Sequence, residues 1–229
     1  MRIGSGQIDE TFMQDERAAR ILCDPTLVPA PGQYLLAHAP SETTRPLAVP
    51  VFRAGSHSRG FYAAAPLPVA WTAGTILTLR GPLGRGFHLP RTARRVALAA
   101  LGNTPARLLA LIEPAVNQNA EITLLSHTPP ANLPPDIEIL PLTALTETIR
   151  WADYLALDTP RTALSTFQRL LATNSSTQLN GYTIEILVET PLACAGMAEC
   201  GVCAVTTSRV SLLACKDGPV FDWKSLFGA

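Results

Sequence analysis

The sequence predicts a multidomain β plus α/β fold in three parts: an N-terminal antiparallel β-barrel, a central α/β domain with a parallel sheet, and a small C-terminal domain built around cysteines. Three observations predict it. Residues 18–87 are short apolar runs broken by Pro and Gly, residues 95–172 alternate strand and helix patterns, and four of the five cysteines fall within twenty-two residues. We place the domain limits at 1–90, 91–178 and 179–229.

The first part contains five apolar runs of strand length, separated by turn residues such as Pro31-Gly32. The runs are residues 20–23, 34–38, 47–52, 60–63 and 75–80. Their spacing predicts an antiparallel barrel or sandwich. Cys23 lies within the first run, so we interpret it as a packing thiol of the core and not as a ligand.

The central part alternates between strand and helix patterns. The predicted strands are residues 96–101, 121–125, 137–140 and 152–156, and the predicted helices are residues 104–112 and 161–172. Thr104 is a suitable N-cap for the first helix, with Pro105 at its first position. Such alternation predicts a parallel sheet. The proline-rich residues 127–135 are predicted to be an exposed loop, and the polar residues 174–179 a linker.

The last part begins with a strand over residues 182–189 that leads into the cysteine loop. Residues 204–207 and 210–214 are predicted to pair as a hairpin around Ser208-Arg209. This hairpin would return Cys215 to the three cysteines of the loop.

The cysteine spacing is Cys-x5-Cys-x2-Cys-x11-Cys, formed by Cys194, Cys200, Cys203 and Cys215. A glycine-containing loop with three thiols and a fourth from a neighbouring strand can surround a metal centre. Plant-type [2Fe-2S] proteins use Cys-x4-Cys-x2-Cys with a distant fourth cysteine, which differs by one residue in the first gap. Structural zinc also uses four thiolates with a Cys-x2-Cys pair, so zinc and an unoccupied site stay open as alternatives.

Composition excludes several classes of function. The 229 residues carry a formal net charge of zero without a Lys/Arg run, which argues against a nucleic-acid partner and gives no membrane-surface signal. Residues 1–17 are polar and lack the apolar core of a signal peptide, and no apolar run has the length of a membrane helix. We therefore expect a cytoplasmic protein with reduced thiols.

Charged residues make up only 16% of the chain, against about 25% in typical soluble domains, so we expect a weakly charged surface that faces another protein. The histidines are scattered outside any recognisable motif with a carboxylate or serine, so acid–base and nucleophilic catalysis have no support. They are His38, His57, His88 and His127.

The order of barrel, parallel sheet and cysteine cluster resembles the electron-transfer subunit of dihydroorotate dehydrogenase, in the ferredoxin-NADP reductase superfamily. The resemblance covers nearly the whole chain from about residue 18. Its most specific parts are the cysteine cluster and the ending Cys-Lys-Asp-Gly-Pro-Val-Phe over residues 215–221; residues 81–87, Gly-Pro-Leu-Gly-Arg-Gly-Phe, also match. Weaker matches are Pro31-Gly32-Gln33 and Arg45-Pro46.

The resemblance implies an FAD-binding barrel, a central domain similar to an NAD-binding fold, and a [2Fe-2S] cluster that passes electrons between FAD and a partner flavoprotein. It implies cluster ligation by the four cysteines and contact of Arg45 with the flavin pyrophosphate. The flavin motif continues here as Leu47-Ala48, without the family's hydroxyl, and residues 63–71 lack the expected Gly-x-Gly-Thr segment. Retention of FAD therefore stays open.

The nicotinamide motifs are also changed. Residues 100–104, Ala-Leu-Gly-Asn-Thr, replace a glycine-rich turn, and residues 157–160, Leu-Asp-Thr-Pro, replace Cys-Gly-Pro. Side chains now occupy positions where the backbone would approach phosphate. We predict that this domain keeps its fold and does not bind NAD.

The leading hypothesis is an electron-transfer subunit of an oxidoreductase, rather than a complete enzyme, in a hetero-oligomer. Its partner would be a flavoprotein, the dihydroorotate dehydrogenase catalytic subunit of pyrimidine biosynthesis. The alternative is a structural or regulatory subunit of a redox complex that binds neither FAD nor NAD. A third hypothesis is an interaction module stabilised by zinc.

Overall fold

A barrel, a mixed sheet with helices and a small cysteine hairpin make up the chain. The computed structural model describes residues 1–13, 17–43, 47–173, 182–194, 196–207 and 210–228. The predicted fold class is confirmed.

Six antiparallel strands form a closed barrel in the order β1-β2-β5-β4-β3-β6. They are β1 (Arg2–Met13), β2 (Arg17–Cys23), β3 (Tyr34–His38), β4 (Val49–His57), β5 (Gly60–Ala63) and β6 (Ile76–Leu83). The pairing of β1 with β6 closes the barrel around an apolar core that includes Ile8, Phe61 and Trp71. The sequence predicted no strand before residue 18, because polar residues and two glycines interrupt the apolar ones in β1; in the structure Gly6 and Ile8 are buried on either side of the exposed Gln7, as in a strand with one face toward the core.

A second sheet of six strands has the order β14-β11-β10-β7-β8-β9. Its strands are β7 (Arg95–Ala100), β8 (Glu121–Leu125), β9 (Ile137–Leu140), β10 (Tyr154–Pro160), β11 (Thr183–Glu189) and β14 (Val220–Asp222). All neighbours are parallel except β11 and β14, which pair antiparallel. The predicted parallel sheet is thus present, with one antiparallel strand at its edge.

The helices differ in part from the prediction. Residues 104–108 form a turn, followed by a 3-10 segment (Leu109–Leu111) and helix α1 (Ile112–Asn117), so the helix predicted over residues 104–112 is wrong in position. Thr104 Oγ1 accepts a hydrogen bond from the Ala106 N–H at 3.2 Å and therefore caps a turn instead of a helix. Helix α2 (Leu145–Trp151) was not predicted, whereas α3 (Leu164–Thr173) confirms the second predicted helix.

The cysteine region is joined directly to the second sheet. Strands β11 and β14 both belong to that sheet, and between them β12 (Ala204–Thr206) and β13 (Ser211–Leu213) form a two-stranded hairpin. Helix α4 (Trp223–Phe227) follows β14. The predicted linker over residues 174–179 lies outside the described residues, and the domain limits stay a prediction.

One apolar cluster connects all three parts of the chain. It extends from Tyr34 and Phe52 of the barrel through Ile186 of β11 to Cys203 and Cys215. The cysteine region therefore packs on both larger parts and not on the sheet alone. None of the described helices is long and apolar enough to cross a membrane.

Candidate metal centre

The cysteine loop begins where β11 ends and returns to the structure at the β12–β13 hairpin. In that hairpin Ala204 pairs with Leu213, and the Ala214 N–H donates a hydrogen bond to the Cys203 carbonyl oxygen at 3.1 Å. Cys203 and Cys215 flank the two strands and so lie next to each other. The predicted return of Cys215 to the loop is confirmed, although the turn at Ser208-Arg209 lies outside the described residues.

The four predicted ligand thiols form one connected group. The Cys194 side chain is hydrogen-bonded to that of Cys200, and the Cys215 side chain to those of Cys203 and Cys194. Cys203 and Cys215 are buried, Cys194 is half-buried and Cys200 is exposed. The group therefore has an inner pair, Cys203 and Cys215, and an outer pair, Cys194 and Cys200, that faces the surface.

Backbone N–H groups surround the Cys194 sulfur. Burial raises the pKa of the Cys194 thiol, but hydrogen bonds from Cys200 and from the backbone N–H groups of Ala198, Cys200 and Glu199 outweigh it and hold the pKa at about 6. The loop can curl in this way because Gly196 and Ala198 have φ angles of 78° and 62°. N–H groups that stabilise a thiolate suit a ligand of a metal centre, which must be deprotonated.

The inner pair lies in different surroundings. Burial, together with hydrogen bonds and negative charge from Cys203 and Cys194, raises the pKa of the Cys215 thiol to about 12. Two closely spaced thiols in a buried position repel each other as anions, and binding to a cation removes that cost. The inner pair is therefore suited to a metal centre that neutralises it.

Cys23 stands apart from this group. It is half-buried and packs against the barrel core, as predicted for a structural thiol. Burial, followed by the charge of Asp24, raises its pKa to about 11. It thus has the properties of an unreactive packing residue.

The two most specific sequence matches are in contact. Arg85, within the barrel segment 81–87, donates its backbone N–H to the Gly218 carbonyl oxygen at 2.5 Å and forms a bridge with Pro219. The turn after Cys215 is fixed in addition by Asp217, whose carboxylate accepts the Leu213 N–H at 2.8 Å. The barrel thus holds the segment that follows the last cysteine.

Side chains of the described residues are not arranged as a binding site for a single metal ion. Across the described ranges, no group of three or more His, Cys, Asp and Glu side chains is arranged so that it could hold a metal ion. The contacts instead join the four thiols in one series, Cys200 to Cys194, Cys194 to Cys215 and Cys215 to Cys203. A [2Fe-2S] cluster uses four thiolates, and this donor set fits such a cluster.

Sequence reasoning missed a buried ion cluster at the ends of β10 and β11. Arg107 donates hydrogen bonds of 2.7 Å to both carboxylate oxygens of Asp158 and one of 2.9 Å to Glu189. Its guanidinium also lies 5.6 Å from the centre of the Phe52 ring. Burial raises the pKa of Asp158, whereas Arg107 lowers it; burial lowers the pKa of Arg107, whereas Asp158 and Glu189 raise it. The sequence signal that could have revealed this ion cluster is Arg107 itself, a single charged residue within an otherwise apolar run.

This ion cluster occupies the usual ligand crevice of an α/β sheet. Ligands of such sheets bind at the carboxyl ends of the strands where the strand order reverses, which here is between β7 and β10. The Leu101 N–H, just after β7, donates to the Asp158 carbonyl oxygen at 2.8 Å, and the Asp158 carboxylate, 1% exposed, is paired with Arg107. The Arg107–Asp158 ion pair therefore lies at the position where a dinucleotide would be expected, and Arg107 and Glu189 line a cavity of about 190 Å³ together with Phe52.

A cavity of about 470 Å³ lies between the barrel and the central domain, within the size range of small-molecule sites. Its described lining is apolar or neutral and includes Ala54, Tyr62, Ala64 and Thr104. Residues 64–71 contain no helix whose N-terminus could bind a pyrophosphate, and the described lining of the cavity carries no charged side chain. Arg45, which the resemblance assigns to the pyrophosphate, lies outside the described residues.

Comparison with known families identifies the cysteine region. Residues 189–227 match the family model of the iron-sulfur cluster binding domain of dihydroorotate dehydrogenase B. This match contains all four cysteines of the connected group. No curated protein matches the chain in sequence.

Solved structures share the fold at low sequence identity. The NADH-dependent reduced ferredoxin-NADP oxidoreductase, studied for flavin-based electron bifurcation, is 18% identical with a TM-score of 0.71, over 97% of this chain and 91% of that one. The ferredoxin NADP+ reductase from Neisseria gonorrhoeae with bound FAD and NADP is 13% identical with a TM-score of 0.55, over 82% and 98%. A ferredoxin reductase in carbazole 1,9a-dioxygenase is 16% identical with a TM-score of 0.59, over 82% and 69%.

These comparisons confirm the resemblance stated from the sequence. The chain has the fold of the ferredoxin-NADP reductases, and its C-terminal region is similar to the iron-sulfur domain of dihydroorotate dehydrogenase B.

Proposed function

We propose that the chain is an electron-transfer subunit that carries electrons through a [2Fe-2S] cluster ligated by Cys194, Cys200, Cys203 and Cys215. The observation that carries the proposal is the convergence of these four thiols at one place, inside the segment that matches an iron-sulfur domain. When bound, such a cluster takes up and releases one electron at a time.

The protein contributes the ligands and their environment. Cys194, Cys200, Cys203 and Cys215 would hold the cluster, with the outer pair, Cys194 and Cys200, on the side that faces the surface and the inner pair, Cys203 and Cys215, in the core. Backbone N–H groups around Cys194 stabilise its thiolate, and hydrogen bonds to cluster sulfur raise a reduction potential. Contact with the barrel at Gly218 fixes the inner side of the site.

The partner would approach the cysteine loop. Cys200 is exposed there, and the neighbouring Met197 and Val202 are 57% and 47% exposed. Exposed apolar side chains beside a redox site favour a protein contact that brings the partner's cofactor close to the outer pair. We propose a flavoprotein as that partner, in a hetero-oligomer, with the dihydroorotate dehydrogenase catalytic subunit of pyrimidine biosynthesis as the candidate because of the domain match.

Oxidation of dihydroorotate would then take place on the partner, and this chain would be part of an oxidoreductase rather than a complete enzyme. The described cysteines are all free thiols, which suits a cytoplasmic location. No step is assigned to FAD in this chain; whether the barrel holds FAD is decided by the flavin measurement below.

The ion cluster of Arg107 favours a second candidate function. Because Arg107 and Asp158 lie in the crevice expected for a dinucleotide, the chain could serve a redox complex as a structural or regulatory subunit without FAD or NAD. The two candidates differ in whether the cluster is oxidised and reduced during turnover of the complex.

Anaerobic purification with the native partner tests the proposal. We expect absorption bands of an iron-sulfur cluster, two irons and two sulfides per chain, and a co-purifying flavoprotein. A colourless protein with stoichiometric zinc would instead establish the zinc-stabilised interaction module. Flavin released from this chain on denaturation would show that FAD is retained, and a cluster that stays oxidised during turnover would support the regulatory subunit.

A further inference from the structure

The side chain of Tyr34 connects the barrel to the thiol group. Tyr34 is the first residue of β3 and is fully buried, and its ring packs against Phe52 at a centroid distance of 5.8 Å. Its hydroxyl is also buried, and among the described residues it has no hydrogen-bond partner. A phenylalanine would fill the same space without that cost, so the hydroxyl calls for an explanation.

The hydroxyl lies beside the cysteine loop. A Cβ atom built on Gly196, in the middle of that loop, would be 3.9 Å from the Tyr34 hydroxyl oxygen and equally far from the Cys215 carbonyl oxygen. The ring also lies against Gly84, where a built Cβ would be 3.0 Å from Tyr34 Cε1. Packing against Phe52 and Gly84 therefore holds the ring with its hydroxyl beside Gly196 of the cysteine loop.

The hydroxyl keeps its proton in this position. A tyrosine hydroxyl, with an ordinary pKa near 10, carries its proton at neutral pH and can donate a hydrogen bond. Tyr34 belongs to the same packed cluster as Cys203 and Cys215, and Cys194 packs against that cluster. The thiols are therefore the neighbours that could accept from it.

We infer that the Tyr34 hydroxyl donates a hydrogen bond to a sulfur atom of the bound cluster and thereby raises its reduction potential. The inference rests on the proposed function and deepens it. A donated hydrogen bond stabilises the more negative, reduced state of the cluster, which is the physical reason for the higher potential.

The experiment compares Tyr34→Phe with Tyr62→Phe, which removes a barrel hydroxyl beside Arg20 instead of beside the thiols. Wild type and both variants are purified anaerobically, iron and sulfide are counted, and the midpoint potential is measured by a redox titration followed by electron paramagnetic resonance. We expect Tyr34→Phe to lower the midpoint potential while Tyr62→Phe leaves it unchanged. Iron–sulfur stretching bands that shift in deuterated water in the wild type should shift less in Tyr34→Phe.

The apoprotein provides a second readout. Without the cluster, Tyr34→Phe removes a buried hydroxyl that has no partner, so its unfolding midpoint should equal or exceed that of the wild type. Loss of the cluster from a variant whose apoprotein is stable would also support the inference.

Three results would overturn it: an unchanged potential with unchanged bands in a loaded Tyr34→Phe protein, an equal potential shift in Tyr62→Phe, or a destabilised Tyr34→Phe apoprotein. A wild type without iron and sulfide would overturn the proposed function together with this inference, whereas the first result leaves the proposed function standing.

Discussion

The backbone N–H of Arg85 and the carbonyl oxygen of Gly218 are joined by a hydrogen bond of 2.5 Å. This bond connects the segment that follows the last barrel strand, β6 (Ile76–Leu83), to the segment after Cys215, two stretches that are more than one hundred residues apart in the chain. Because Gly218 follows Cys215 by three residues, the hydrogen bond ties the position of the inner thiols to the barrel.

Gly84 precedes that bond and allows the two stretches to approach. A Cβ at this position would lie 2.6 Å from Pro219 Cδ and 2.8 Å from the Gly218 carbonyl oxygen. We predict that Gly84→Ala lowers the unfolding free energy by about 1–3 kcal/mol beyond the backbone cost and speeds iron loss to a chelator. Gly74→Ala is the matched control, because Gly74 also has a positive φ but no atoms within 4 Å of the added methyl. Equal effects in both variants would contradict a packing role for Gly84.

Replacement of single thiols should identify the ligands. We predict that Cys194→Ser, Cys200→Ser, Cys203→Ser and Cys215→Ser each lower the cluster content to less than a quarter, because a [2Fe-2S] cluster uses all four thiolates. Cys23→Ser should keep the full content, since Cys23 packs in the barrel away from the group. The measurement is iron and sulfide per chain after anaerobic purification. Full loading of any of the first four variants would remove that residue from the ligand set.

Removal of Arg107 should leave a buried charge without its partner. We predict that Arg107→Met lowers the unfolding free energy by about 3–5 kcal/mol at neutral pH, as is typical when one member of a buried ion pair is removed. Burial raises the pKa of Asp158, so without Arg107 its folded pKa lies above its unfolded value. A raised carboxyl pKa costs stability above the unfolded pKa, so the loss should shrink as the pH falls toward about 4.

Urea unfolding between pH 4 and pH 8 measures this effect. The double variant Arg107→Met with Asp158→Asn is the control, and it should recover part of the stability because no unpaired charge remains. A loss in Arg107→Met that does not depend on pH would contradict the assigned role of Asp158.

The same ion cluster leads to a prediction about nicotinamide. We predict that the purified chain shows no saturable binding of NADH in a fluorescence titration up to millimolar concentration, because Arg107 and Asp158 occupy the crevice at the ends of β7 and β10. The Neisseria gonorrhoeae reductase, whose structure contains bound NADP, is the positive control for its own dinucleotide. Measurable NADH affinity in this chain would refute the prediction.

The exposed apolar residues beside the outer thiols should contribute to the contact through which electrons pass to the partner flavoprotein. We predict that Met197→Glu and Val202→Glu slow electron transfer at least tenfold, since a charge in a desolvated contact costs more than about 1.4 kcal/mol. Val116→Glu is the control, because Val116 is similarly exposed but lies on α1. Stopped-flow reduction with the co-purifying flavoprotein gives the rates, and absorption spectra verify that the cluster is unchanged. Equal rates in all three variants would place the contact elsewhere.

Much of the fold follows from local patterns. Apolar runs with turn residues predicted β3, β4 and β5, and apolar strands alternating with helices predicted the central sheet. Strand β1 was not predicted because its apolar and polar residues do not alternate: Ile3 and Met13 are exposed, and the buried position 6 is a glycine. Strand β14 was not predicted because three residues are too few to show a period. Pairing of β1 with β2 and β6, and of β14 with β11, forms both strands.

The sequence by itself determined the chemistry of the candidate site, since the type and spacing of Cys194, Cys200, Cys203 and Cys215 already indicated a thiolate-ligated metal centre. Only the tertiary structure divided these thiols into an outer pair, with Cys194 half-buried and Cys200 exposed, and a buried inner pair, Cys203 and Cys215. Burial depends on how the hairpin packs against the barrel, which spacing along the chain does not encode.

The same holds for the contacts made by side chains from distant elements. Only the folded chain brings Arg107 onto Asp158 and directs Tyr34 toward the cysteine loop. In the sequence these residues are an arginine in an apolar run, an acid at a strand end and an aromatic residue in a strand. Packing removes water from the charges of Arg107 and Asp158 and from the hydroxyl of Tyr34. Each of these polar groups then depends for its hydrogen bonds on the partners that the fold places beside it.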